Sequence, residues 1–175
     1  MNEVTLVTGG GRSGKSRYAL QLADRYDRRA FIATAEPSDE EMRRRIEMHR
    51  RARGDSYLTV EEPLDPAAAI LSLRGRVDVA VLDCLTVWLG NLMHHEDTAD
   101  GEYRQVRSLL GVVEEPPLDL VLVTNEVGMG IIPANAMARE FRDLAGRVNQ
   151  EVARRATNVV LMVSGIPVVV KGSVE

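Results

Sequence analysis

The sequence predicts an α/β fold, in which a mostly parallel sheet is covered by helices on both faces. Short apolar runs rich in β-branched residues recur along the chain and end in polar residues, as expected of strands that are buried on both faces. Helical patterns lie between these runs. The chain has 175 residues, of which 45% are hydrophobic, so that we expect one domain (1–175) with a substantial core.

Five apolar runs are the predicted strands. They are VTLV (4–7), AFIATA (30–35), VDVAVLD (77–83), LDLVLVT (118–124) and NVVLMV (158–163). Their alternation with helices implies right-handed crossovers between parallel strands. The predicted loops are EEPP (114–117) and HHEDTADGE (94–102), and the second of them would hold His94 and His95.

The first strand leads into TGGGRSGKS (8–16), which fits the phosphate-binding pattern G-x-x-x-x-G-K-[ST] at a strand-to-helix turn. Glycines there let backbone N–H groups approach phosphate oxygens. Lys15 would neutralise the β and γ phosphates, and the Ser16 hydroxyl would bind Mg²⁺. An incidental lysine is disfavoured, because the only other lysine is Lys171. The predicted nucleotide-binding residues of this P-loop are Gly9, Gly10, Gly11, Arg12, Ser13, Gly14, Lys15 and Ser16.

Two further strands end in polar residues at the edge where α/β folds bind ligands. VAVLD ends in Asp83 and resembles a Walker B strand, whose carboxylate reaches Mg²⁺ directly or through water. Thr124, Asn125 and Glu126 follow another strand and precede VGMGIIP, whose glycines permit a tight loop. A simple turn is the alternative interpretation of that segment.

A helix beginning at Ser38 carries the second chemical signal. Ser38 and Glu41 form a capping box, and His49 falls on the same helical face as Met42 and Ile46. His49 is either a packed histidine or a nucleophile. Arginines at 45, 50, 51 and 53 would suit polyphosphate and would depress the imidazole pKa, but they could equally form a solvated helix face.

An amphipathic helix is predicted over residues 135–155. Its core stripe would be Met137, Phe141, Leu144, Val148 and Val152, and its polar stripe Arg139, Arg142, Gly146 and Asn149. Glycine costs about 1 kcal/mol in a helix relative to alanine. Its presence at 146 therefore predicts the close approach of a backbone, a ligand or another subunit.

Composition narrows the function classes. The net charge of −4, the pI near 5.5 and the aromatic content of 4% argue against a nucleic-acid-binding protein. A lone Cys84 excludes an internal disulfide.

We find no signal peptide and no apolar run long enough for a membrane span, and therefore expect a cytoplasmic protein. A regulatory GTPase would bind guanine through an N-K-x-D motif. The chain has only two lysines, Lys15 and Lys171, and neither lies in such a motif.

Seven blocks in order cover nearly the whole chain: TGGGRSGKS, FIATA, RRRIEMHR, DCLTVWLGNL, TNEVGMGIIP, FRDLAGRVNQ and VSGIP. Together they closely resemble the bifunctional adenosylcobinamide kinase/adenosylcobinamide-phosphate guanylyltransferase family of cobalamin biosynthesis. The resemblance implies a RecA-like P-loop fold and a homotrimer.

The resemblance also implies the activity. Members phosphorylate the aminopropanol hydroxyl of adenosylcobinamide with ATP or GTP, then transfer GMP from GTP to that phosphate through a guanylylated histidine. The products are adenosyl-GDP-cobinamide and pyrophosphate. The family's histidine falls on His49, whereas His94 and His95 match no motif. Further nucleotide contacts would come from Ala33, Thr34, Ala35, Arg50, Arg51, Ala52, Arg53, Glu61 and Asp83.

Two other functions remain as alternatives. A plain P-loop small-molecule kinase would lack the transferase step. The choice between this alternative and the bifunctional enzyme depends on whether His49 is a nucleophile. A RecA-like oligomeric ATPase acting on nucleic acid would share the fold, although the acidic balance disfavours it.

Overall fold

The computed structural model describes residues 2–37, 40, 44, 56–96 and 102–174. Most of the predicted helix from Ser38 lies outside these residues. The same is true of His49 and of Arg50, Arg51, Ala52 and Arg53.

Seven strands of the described chain form one sheet. They are β1 (Val4–Gly9), β2 (Arg29–Ala33), β3 (Leu58–Glu61), β4 (Val79–Asp83), β5 (Asp119–Val123), β6 (Asn158–Val163) and β7 (Ile166–Lys171). The strand order is β3-β2-β4-β5-β1-β6-β7. Strands β1 to β6 are all parallel, and β7 pairs antiparallel with β6. The carboxyl ends of six strands therefore share one edge of the sheet.

The helices of the described chain cover both faces of the sheet. They are α1 (Lys15–Ala23), α2 (Pro66–Ser72), α3 (Leu85–His95), α4 (Arg104–Glu114) and α5 (Ala136–Arg155). Helix α1 packs on one face through Ala19, Leu22 and Ala23. Helices α2 to α5 share the core of the other face, where Trp88 is fully buried. In the part of the chain that the structure describes, no helix is both long and apolar enough to span a bilayer.

The predicted α/β fold is confirmed, and the five predicted strands are observed with their ends shifted by at most two residues. Two strands were not predicted. Strand β3 has only four residues, LTVE, none of them buried, so that its apolar signal is weak. Strand β7 is the apolar run IPVVVK, which Pro167 interrupts, and it is exposed at every position.

Two details of the sequence analysis are wrong. His94 and His95 lie in the last turn of α3, not in a loop. Met137 is 70% exposed and does not belong to the core stripe of α5. The prediction at Gly146 stands only in part: a Cβ there would meet no atom of the described chain within 4 Å, so that a ligand or another subunit remains the predicted neighbour.

Candidate active site at the carboxyl edge of the sheet

The P-loop connects the end of β1 to the first residue of α1. A Cβ on Gly9 would lie 2.6 Å from the Met162 carbonyl oxygen, and the φ of Gly9 is +147°. Gly14, the residue before α1, has a φ of +96°. These two positions therefore require glycine. A Cβ on Gly10 or Gly11 would meet nothing within 4 Å, which leaves open space beside the middle of the loop.

Lys15 is buried under this loop. The residue is only 6% exposed, and its Nζ donates a hydrogen bond to the Gly10 carbonyl oxygen at 2.6 Å. Burial lowers the pKa of the Lys15 ammonium, while the acidic groups of Cys84 and Asp83 act to raise it. The ammonium therefore interacts with the carboxylate at the end of β4, and a phosphate oxygen would compensate its buried charge.

The hydroxyl of Ser13 also lies in the P-loop. Among the described residues it is buried and has no hydrogen-bond partner. A buried polar group without a partner is unusual and costs free energy. A phosphate oxygen bound in the loop would satisfy it. Ser16 follows Lys15 on α1 and is partly buried, and Arg12 is exposed with a φ of 57°.

Asp83 ends β4, and the chain beyond it is fixed by Thr34. The Thr34 hydroxyl donates to the Cys84 carbonyl oxygen and accepts from the Cys84 N–H, both at 2.9 Å. The Asp83–Cys84 peptide bond is cis. Burial raises the pKa of the Cys84 thiol to about 11, so that it stays protonated at neutral pH and is a poor nucleophile.

The structure brings the other predicted strand-end residues to the same edge. Ala33 pairs in register with Glu61 on β3 and with Asp83 on β4. Asn91 on α3 donates from Nδ2 to the Thr34 carbonyl oxygen at 2.7 Å and to the Pro63 carbonyl oxygen at 3.1 Å. The side-chain amide therefore joins the chain segments that follow β2 and β3, which include Ala35.

A chain of hydrogen bonds, here termed the threonine relay, supports the end of β5. Thr124 donates to Asn149 Oδ1 on α5 at 2.8 Å, and its hydroxyl lies 3.2 Å from that of Thr86 on α3. Because Thr124 has only one hydroxyl proton, Thr86 is the donor between the two. Thr86 Oγ1 in turn accepts the Asn125 N–H at 2.7 Å. The relay fixes Asn125 at the edge of the sheet.

The sequence analysis did not assign functional roles to Asn91 and Thr86. Both lie on α3 in DCLTVWLGNL, where each is a polar side chain on the buried side of an apolar helix. That position was a usable signal, because a buried polar group needs a partner. Their partners are backbone groups and a threonine more than 20 residues away, and these follow only from the topology.

The threonine relay predicts a local effect of Thr124→Val. The valine leaves the Thr86 hydroxyl and Asn149 Oδ1 without their partner, at a cost of about 1–2 kcal/mol. We expect the Asn125 amide to exchange with solvent roughly tenfold faster, measured by hydrogen–deuterium exchange. Thr124→Ser should restore the wild-type rate. The Ser173 amide, bonded to Asn158 elsewhere in the fold, is the internal control. Unchanged exchange at Asn125 in the valine variant would refute the relay.

Comparison with solved structures supports the fold. A KaiC-like protein of Pyrococcus horikoshii matches with a TM-score of 0.50 and 15% identity, covering 91% of this chain and 70% of that one. An ATPase of the type III secretion system of pathogenic bacteria matches with a TM-score of 0.53 and 11% identity, covering 91% and 50%. At these identities the likeness shows a P-loop NTPase fold alone.

Comparison with known sequences identifies the family. The bifunctional adenosylcobalamin biosynthesis protein CobU of Escherichia coli K12 is 41% identical, covering 95% of this chain and 98% of the relative. The corresponding protein CobP of Pseudomonas aeruginosa is also 41% identical, covering 95% and 96%. The family model described as cobinamide kinase / cobinamide phosphate guanyltransferase matches residues 5–170. With its P-loop and strand-end carboxylate at one edge of the sheet, the chain belongs to this family.

Proposed function

We propose that the protein phosphorylates adenosylcobinamide with ATP or GTP and then transfers GMP from GTP to the resulting phosphate, releasing pyrophosphate. The observation that carries this proposal is the convergence of Lys15 and Asp83 at one sheet edge, in a chain that matches the family over residues 5–170. That edge provides a single place where a nucleoside triphosphate can bind for both steps. We also propose that the enzyme works in the cytoplasm, where its nucleotide substrates are available.

In the kinase step, the protein mainly positions the phosphates and stabilises their charge. Backbone N–H groups from Gly9 to Ser16 would surround the phosphates, and Lys15 would transfer its hydrogen bond from Gly10 to a phosphate oxygen. The cobinamide hydroxyl then attacks the γ-phosphorus in line. The bond from that phosphorus to the bridging oxygen breaks, and the nucleoside diphosphate leaves.

Ser16 and Asp83 are the proposed Mg²⁺ ligands. A hydroxyl and a carboxylate supply the oxygen donors that Mg²⁺ prefers, and one or two protein ligands suffice when phosphates and water complete the coordination. The ion would neutralise charge on the phosphate oxygens.

His49 is the proposed nucleophile of the transferase step. Its imidazole would attack the α-phosphorus of GTP, expel pyrophosphate and form a phosphoramidate with GMP. Arg50, Arg51, Ala52 and Arg53 follow it in sequence and would contact the nucleotide, as would Ala33, Thr34, Ala35 and Glu61. A plain small-molecule kinase would share the P-loop chemistry and lack this covalent step.

We propose a homotrimer, with β7 as the surface through which the chains associate. This edge strand is exposed at all six positions and carries Ile166, Val168, Val169 and Val170. Exposed apolar edge strands favour pairing with another chain.

The trimer predicts a solution mass near three chain masses, measured by light scattering. Val168→Lys should lower that mass by placing a charge in the contact. Leu71→Lys, at a 52% exposed position on α2, is the matched control and should leave the mass unchanged. A wild-type mass of one chain would contradict the assignment.

The covalent step predicts that the enzyme, incubated with GTP labelled at its α-phosphate and without corrinoid, keeps the label after denaturation. γ-Labelled GTP should leave no label, because the γ-phosphate departs with pyrophosphate. A phosphoramidate is labile to acid, so that mild acid should release GMP. His49→Ala should retain no label and keep substantial kinase activity, since phosphoryl transfer needs only the P-loop and the metal ion.

The other two histidines of the chain provide the control for this experiment. His94→Ala and His95→Ala should label like the wild type. Label that persists in His49→Ala would assign the nucleophile to another residue. A wild type that never labels while product still forms would show direct transfer of GMP.

A further inference from the structure

The segment that follows β5 exposes several large apolar side chains and carries no charge. Between Glu126 and Arg139 the sequence contains no Asp, Glu, Lys or Arg, in a chain that is 27% charged. We call residues 127–137 the apolar lip. Its exposed apolar side chains, with their exposed fractions, are Val127 (36%), Met129 (82%), Ile131 (96%), Ile132 (67%) and Met137 (70%). A grouped set of this kind marks a binding surface more often than single exposed residues do.

The apolar lip is fixed at both ends. At its start, the Glu126 N–H donates to the Gly9 carbonyl oxygen at 3.0 Å, and Glu126 Oε1 accepts the Gly128 N–H at 2.7 Å. At its end, Arg139 donates to the Pro133 and Ala134 carbonyl oxygens at 2.9 and 2.6 Å. The start of the lip is therefore held beside the P-loop, and its end is fixed to the first turn of α5.

The lip leaves the sheet on the side of the P-loop where Asp83 ends β4. Lys15 interacts with Asp83 at the end of β4, which is separated from β1 by β5 alone. A terminal phosphate bound to Lys15, with Mg²⁺ on Asp83, would therefore lie on the β4–β5 side of the loop. The lip leaves the sheet from β5 on that same side. An acceptor hydroxyl in line with the terminal phosphate would come from a molecule bound next to the lip.

We propose that the apolar lip binds the corrin ring of the acceptor, an inference that rests on the proposed function. The reacting hydroxyl lies at the end of a short arm, so that the ring must be held within reach of the phosphate. A corrin ring presents methyl groups and neutral amide arms, which suit an apolar, uncharged surface. The unbranched side chains of Met129 and Met137 can adapt to such an irregular outline.

The test compares the variant Ile131→Ser/Ile132→Ser with the wild type. We expect the KM for cobinamide to rise at least tenfold in the kinase assay. The KM for GTP should stay within twofold, and so should labelling by α-labelled GTP without corrinoid, which also shows that the variant folds. Met129→Gln, tested separately, should raise the cobinamide KM in the same direction. Leu71→Ser, at a 52% exposed apolar position on α2, is the matched control and should change neither KM.

The outcomes separate the two levels of the proposal. An active wild type with an unchanged cobinamide KM in both lip variants would overturn the assignment of the lip and leave the proposed function standing. A lip variant that changes the mass measured by light scattering would show that a second copy of the chain covers this surface, and would also overturn it. A wild type that does not phosphorylate cobinamide would overturn the proposed function and the lip together.

Discussion

The parallel pairing of β1 with β5 on one side and β6 on the other is the constraint on which the site depends. It places the P-loop between the ends of two neighbouring strands, and hydrogen bonds from both sides hold it there. Glu126 N–H, beyond β5, donates to Gly9, and Gly165 N–H, beyond β6, donates to Ser13, each at 3.0 Å. A loop fixed in this way can keep its backbone N–H groups aimed at phosphate before any nucleotide arrives.

Buried polar contacts extend this order across the edge of the sheet. Thr34 joins the ends of β2 and β4, Asn91 joins the segments after β2 and β3, and Thr124 joins the end of β5 to α5. The Thr34 contact is buried and the other two are partly buried, where an unsatisfied polar group is costly. The strand-end residues are therefore positioned by hydrogen bonds within the protein.

Sequence patterns predicted the parts of the fold that depend on local signals. The P-loop motif fixed the turn after β1, and buried runs such as NVVLMV identified central strands. Strand β7 has the same β-branched residues as the buried strands, but Pro167 lies within the run, and proline weakens a strand prediction. The exposure of Met137 followed from where α5 begins to contact the sheet, which helical periodicity does not reveal. The threonine relay could not be predicted from local patterns either, because Thr86 and Thr124 are distant in sequence and only the topology of the fold brings them together.

The central claim is that one P-loop serves both phosphoryl and guanylyl transfer. The most direct measurement uses a GTP analogue that is inert at both the α–β and the β–γ bridges, titrated against each half-reaction and against the enzyme alone. A shared site predicts one analogue bound per chain and the same competitive inhibition constant in the kinase and transferase assays. Two analogues bound per chain, or inhibition constants that differ by tenfold or more, would contradict it.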